Sequence, residues 1–246
     1  MDFADPGLCF PLRVAHNARM NANPNPASDS VGVGFGSGYP IEPVVAHLSD
    51  QPRVQKVPSP KLTLFVRKQF LDPALCQSLM DRIDASRRPS TVGDSNGDPY
   101  FRTSETCDLD AADPVVAELD KRILAFTGLD RRHGEPIQGQ RYAAGQEFKA
   151  HTDYFEPTGE DYDKYCSVAG QRTWTVMIYL NDPEAGGATR FRVIDKIVQP
   201  ETGKLLAWSN LRPDGTPNAA TLHHAMKVRA GTKYVVTKWF RERPWG

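Results

Sequence analysis

Cysteine is scarce in this chain of 246 residues: Cys9, Cys76, Cys107 and Cys166 are the only four, and no two form a C-x-x-C pair. Thiols so few and so widely spread do not build a disulfide framework and read as isolated and reduced. An excess of either charge is also missing. Lysine plus arginine and aspartate plus glutamate each number 30, which leaves no global field to gather nucleic acid or an anionic membrane surface. No apolar run reaches the ~20 residues of a membrane-spanning helix. The opening Met1-Asp2-Phe3-Ala4-Asp5-Pro6 carries acid where a signal peptide needs base. Together these absences set the expectation of a cytoplasmic protein with neither a nucleic-acid nor a membrane partner. No internal repeat is visible. The glycines between Val31 and Gly38 do not fit G-x-G-x-x-G, and Pro40 and Pro43 follow where a nucleotide-binding helix should open.

What is present divides the chain in two. Residues 1–60 are rich in Pro, Gly, Asn and Ser without helical or strand periodicity, and read as an irregular arm that can pack on the main domain through Val44, Val45 and Leu48. Residues 61–246 read as one domain. A strand is expected at Lys61–Val66. Asp72-Pro73 and Asp113-Pro114 are each an N-cap followed by proline at the first helical position. Leu75, Leu79 and Ile83, and then Val116, Leu119, Ile123 and Phe126, space their apolar stripes for two helices, the second ending at Gly128. Ser90–Pro99 is turn chemistry, with a short strand expected at 100–104. From Ile137 onward the pattern is strands and turns, with Thr173–Leu180 apolar enough to be buried on both faces. The expectation is a mainly β fold of about eight strands, a double-stranded β-helix or jelly roll, with two helices preceding the barrel and packing outside it. Residues 156–171, acidic and aromatic, read as a long loop covering a site.

The chemistry is expected at Gln146–Phe155. In an extended chain alternate side chains share a face, so His151 and Asp153 project together. With one further histidine they form the 2-His-1-carboxylate face that holds Fe(II) and leaves positions open for substrate and dioxygen. The triplet alone is weak, since roughly 0.7 occurrences of His-x-acid are expected by chance here. His133-Gly134-Glu135 is a second occurrence, placed by its glycine and proline neighbours in a surface turn. The third ligand falls to His223 or His224 on a late strand. Lys233 shares a strand face with Val235, Thr237 and Trp239, and an inward lysine among apolar neighbours is costly unless an anion meets it.

The string His151-x-Asp153, Gly186-Gly187-x-Thr189-x-Phe191, His223, Lys233 ten positions later and Trp239 six after that resembles the catalytic domain of the prolyl 4-hydroxylases, which are Fe(II)- and 2-oxoglutarate-dependent dioxygenases. The resemblance covers residues 61–246 and extends to Arg102-Thr103-Ser104 and the closing Lys238–Trp245. In that family a Pro-Val pair follows the distal histidine by four residues. Lys227-Val228 stands in that place, which selects His223.

The resemblance implies His151, Asp153 and His223 as iron ligands, Lys233, Tyr142 and Thr175 around 2-oxoglutarate, and Arg172, Trp239, Phe148 and Arg102 on the substrate side or behind the ligands. It implies hydroxylation of an unactivated C–H bond with release of succinate and carbon dioxide, and ascorbate as reductant. Related halogenases lack the carboxylate, so Asp153 favours hydroxylation. The family's usual tyrosine three residues before the first metal histidine is Phe148 here. The expected substrate is a prolyl residue in a peptide or protein. A free amino acid or small metabolite is the alternative, and a non-catalytic metal-binding jelly roll is a third reading.

Overall fold

The computed structural model describes residues 41–90, 100–159 and 162–245. The arm up to residue 40, the turn expected at 91–99, and Glu160 and Asp161 of the expected covering loop lie outside the described residues.

Both predicted helices form where their caps place them. Asp72 accepts from the Leu75 amide ahead of Pro73–Ser86, and Asp113 accepts from the Val115 and Val116 amides ahead of Pro114–Thr127. Gly128 closes the second in the left-handed conformation, φ 69°, which costs glycine nothing sterically. The irregular reading up to residue 60 is corrected from Ile41 onward. Ile41–Ser49 is a helix burying Ile41, Val44 and Leu48, and Val54–Lys56 is a strand paired with Leu64–Arg67. Pro43 did not exclude the helix because it falls in the first turn, where its missing N–H has no intrahelical partner to lose.

The strands form an eight-stranded sheet in the order Val54–Lys56, Leu64–Arg67, Leu205–Ser209, Arg172–Tyr179, Lys233–Arg241, Gln138–Tyr142, Glu105–Asp108, Arg88–Pro89. A four-stranded sheet runs Lys196–Val198, Thr189–Phe191, His223–Ala225, Phe148–His151, and Val228–Ala230 pairs separately with Ala185–Gly186. Pairing between all neighbours is antiparallel. Residues 100–104 are not a regular strand; Arg102 makes one bridge to Phe148, and the strand begins at Glu105. The expected loop at 156–171 contains the short helix Tyr162–Cys166.

Alternation along the central strands sorts two cores onto opposite faces of the large sheet. Trp174, Val176, Ile178, Leu205, Ala207, Val236 and Phe240 pack with the helices, including Leu48, Leu79 and Leu119. Met177, Tyr179, Leu206, Trp208 and Val235 pack with Tyr142, Phe191 and Val228 in a second core against the small sheet. The run from Thr173 to Leu180 therefore looks continuously apolar because each of its faces meets a different layer. The double-stranded β-helix is borne out, with helices on the outer face of its larger sheet.

Candidate metal centre

The two histidines meet by strand register. His223 lies directly opposite His151 in the antiparallel pair formed by His223–Ala225 and Phe148–His151, and their ring centroids are 4.2 Å apart. Asp153 follows just beyond the strand end. His151, Asp153 and His223 each offer one ligand atom, all within 4.8 Å of one another, and they are the one such group among the described residues. His151 Nε2 is 3.8 Å from Asp153 Oδ1.

Both imidazoles are oriented alike. His151 Nδ1 donates to the Lys149 carbonyl at 2.7 Å and His223 Nδ1 to the Thr221 carbonyl at 3.0 Å. A carbonyl can only accept, so each Nδ1 carries a proton and Nε2 is the nitrogen left to face a metal. Burial, with His223 adding to it, lowers the His151 pKa to about 3, so that ring is neutral as a ligand must be. Burial opposes ionisation of Asp153, yet its charged and hydrogen-bonding neighbours, the Arg172 guanidinium and the Thr175 hydroxyl among them, hold its carboxyl below the ordinary range. His224 points the other way. Its Nε2 is 2.9 Å from Glu147 Oε2, as alternation along the strand requires of the neighbour of an inward residue.

Lys233 lies in the same layer, opposite Tyr142 in the sheet. It is 1% exposed, and its ammonium sits 4.8 Å from the Tyr142 ring centroid and 5.4 Å from that of Tyr179. Among the described residues it forms no ion pair. Burial alone lowers its pKa from 10.5 to about 7. Gly187 comes close to its stem: a Cβ there would stand 3.1 Å from Lys233 Cδ. Tyr179 and Thr189 were not singled out as co-substrate groups in the sequence, yet the Tyr179 hydroxyl donates to Thr189 Oγ1 at 2.7 Å beside this lysine. The only sequence signal for them was Thr189 within the Gly-Gly-x-Thr string.

Thr175 is corrected. It pairs with Trp239, whereas Tyr179 pairs with Val235 next to the Lys233 end. Four residues of strand separate Thr175 from Tyr179, roughly 13 Å. Its hydroxyl donates to Asp153 Oδ2 at 2.7 Å. Shared facing was readable from the sequence; position along the sheet was not.

The remaining expected residues surround the triad. Phe148 stacks on His151 with centroids 3.5 Å apart, and the Arg102 guanidinium lies 4.9 Å from the Phe148 ring centroid while donating to Ser104, Thr106 and Gln138. Arg172 lies 4.0 Å from the Trp239 ring centroid and forms a two-pronged pair with Glu135 at 2.7 and 2.8 Å. The surface placement of His133 and Glu135 is therefore corrected. Both are buried, His133 Nδ1 donates to the Arg241 carbonyl, and Glu135 is shared between Arg172 and Arg241. Gly134 bridges to Phe240, which draws the segment along the last strand.

Two imidazoles and one carboxylate on a jelly-roll face, with a buried cation in the same layer that forms no ion pair among the described residues, define a class: a non-haem metal oxygenase with a cation for an anionic co-substrate. Residues 137–241 match the model of the 2OG-Fe(II) oxygenase superfamily. A probable prolyl 4-hydroxylase of Arabidopsis thaliana, number 4 of its set, is 33% identical over 215 residues, covering 76% of this chain and 70% of that one. Among solved structures, the viral collagen prolyl hydroxylase of Paramecium bursaria Chlorella virus-1, in its 2OG complex, superposes with a TM-score of 0.56 at 24% identity, over 78% of this chain and 97% of that one. A Trichoplax adhaerens prolyl hydroxylase in complex with a hypoxia inducible factor peptide fragment gives 0.54 at 14% identity, over 81% and 87%. The chain belongs to the prolyl 4-hydroxylase family of 2-oxoglutarate- and Fe(II)-dependent oxygenases.

Proposed function

We propose that this protein hydroxylates a prolyl residue in a peptide or protein, with Fe(II) held by His151, Asp153 and His223, the distal carboxylate of 2-oxoglutarate met by Lys233, and ascorbate as reductant. The observation that carries the reading is a two-imidazole, one-carboxylate set in the same layer as a buried ammonium that forms no ion pair among the described residues. When bound, the iron and co-substrate supply the oxidation of an unactivated C–H bond with dioxygen, releasing succinate and carbon dioxide. The chain's own residues do the rest. The Lys149 and Thr221 carbonyls fix the imidazole tautomers, Thr175 holds Asp153, and Tyr142 and Tyr179 wall the lysine from water. Arg172 and Trp239 stack at the Asp153 end of the large sheet, beside Thr175. They and Arg102 are the candidates for contacts to the substrate. A peptide substrate is favoured by the family, whose relatives carry prolyl names.

A free amino acid or small metabolite is the second reading, favoured by Phe148, which places an apolar ring on His151 where the family's usual tyrosine would offer a hydroxyl. Incubation with Fe(II), 2-oxoglutarate and ascorbate separates the two. A proline-rich peptide is expected to gain 16 Da with matched succinate release, and His151→Ala and His223→Ala to abolish both while His224→Ala retains them. Turnover of free amino acids in preference to the peptide would establish the second reading. No turnover of any substrate class by iron-loaded protein would leave a binding module.

A further inference from the structure

Asp153 has two carboxylate oxygens, and they face different partners. Oδ1 is the one 3.8 Å from His151 Nε2, whereas Oδ2 accepts the Thr175 hydroxyl at 2.7 Å. Thr175 Oγ1 in turn accepts from Asn210 Nδ2 at 2.9 Å, and Asn210 Oδ1 accepts from the Trp208 indole N–H at 3.1 Å. The direction of this chain is chemically determined. An indole nitrogen only donates and an ionised carboxylate only accepts, so one arrangement of protons satisfies every member: Trp208 to Asn210 to Thr175 to Asp153. Asn210 and Thr175 are both 0% exposed, so no water competes for these atoms. The Asn210 backbone is pinned as well, donating to the Thr173 carbonyl and accepting from the Asn218 amide.

We infer that Trp208, Asn210 and Thr175 form a positioning relay that commits Oδ2 of Asp153 to the protein, so that the carboxylate binds the metal through Oδ1 alone. One-oxygen binding keeps a coordination position free that a chelating carboxylate would occupy, and a co-substrate that itself chelates needs that position. Asn210 carries this role without any mark in the sequence, sitting at the end of a strand with no motif around it. The inference rests on the metal-site reading proposed above.

The test is equilibrium Co(II) binding to the full chain, followed by the d–d absorption of the bound ion, with folding checked by circular dichroism. Thr175→Val and Asn210→Ala are expected to weaken Co(II) binding about ten- to a hundredfold and to change the band intensities, as loss of a ligand's orienting partner does. Thr175→Ser keeps the hydroxyl and is expected to stay within about threefold of the parent protein, with its spectrum. Parent-like affinity and spectrum in Thr175→Val overturn the relay. Should that variant fail to fold, the same result in Asn210→Ala overturns it. Parent protein that takes up no Co(II), or loses none of it in His151→Ala, overturns the metal site itself and the relay with it; parent binding abolished by His151→Ala but untouched by Thr175→Val overturns the relay alone.

Discussion

An ammonium group buried without a counter-charge costs several kcal/mol, and Lys233, which forms no ion pair among the described residues, is held between two tyrosine rings. Its pKa of about 7 lies below the 10.5 of an exposed lysine. Between those values the folded chain binds fewer protons than the unfolded one, so the residue costs stability below pH 7 and the cost is relieved as pH rises toward 10.5. Lys233→Met is expected to raise stability at pH 6.5 by about 2 kcal/mol in denaturant titration while abolishing 2-oxoglutarate binding. The reverse pairing, lower stability with retained binding, would remove Lys233 from the pocket. A dicarboxylate needs the charged form, so binding above pH 7 must draw in a proton. The affinity of Mn(II)-loaded protein for 2-oxoglutarate should therefore fall as pH rises from 7 to 9, approaching tenfold per pH unit. Calorimetry in buffers of different ionisation heat measures both, and a flat profile contradicts the assignment. The inward placement of Lys233 was readable from Val235, Thr237 and Trp239 alone. The role of Thr175 was not, because period two reports the face of a strand and says nothing about which residue lies opposite on its neighbour.

Elements became readable in proportion to how much local chemistry marks their ends. Asp72-Pro73, Asp113-Pro114 and Gly128 announced two helices. Ala185–Gly186, Lys196–Val198 and Val228–Ala230 are too short to show any period and exist through their partners. The segment from Arg131 to Gly134 illustrates the cost of reading turn residues as surface. It continues into Glu135, which is the shared counter-ion of Arg172 and Arg241 and so ties two strands of the large sheet to the loop before Ile137. Removing its charge strands the buried guanidinium of Arg241 and the half-buried one of Arg172. Glu135→Gln is expected to cost about 3 kcal/mol of stability, and to move the Arg172 side chain off Trp239, read as a change in tryptophan fluorescence. A loss under about 0.5 kcal/mol, typical of exposed ion pairs, would show that solvent already screens the trio.

At the scale of the molecule, the large sheet keeps stability and chemistry on opposite sides. Its outer face packs the helices, including Leu48 of a helix whose start the prolines at 40 and 43 disguised, and its inner face carries Lys233 and packs toward the small sheet that holds His223. Trp174, Val176 and Ile178 turn outward from the same strand that turns Thr175 and Tyr179 inward, so damage to the outer core reaches the site only through a sheet hydrogen-bonded on both sides of that strand. Leu48 is 0% exposed, and Leu48→Ala deletes buried methyl groups whose loss costs about 3 kcal/mol with partial collapse of the cavity. The expected outcome is a lower denaturation midpoint with Co(II) and 2-oxoglutarate affinities unchanged within about twofold, since additivity holds for distant sites that share no partner. Equal losses of stability and metal affinity would show instead that the helical layer sets the geometry of the metal centre. In that case the sheet would transmit strain rather than isolate it, as a close-packed interior can when it has no slack.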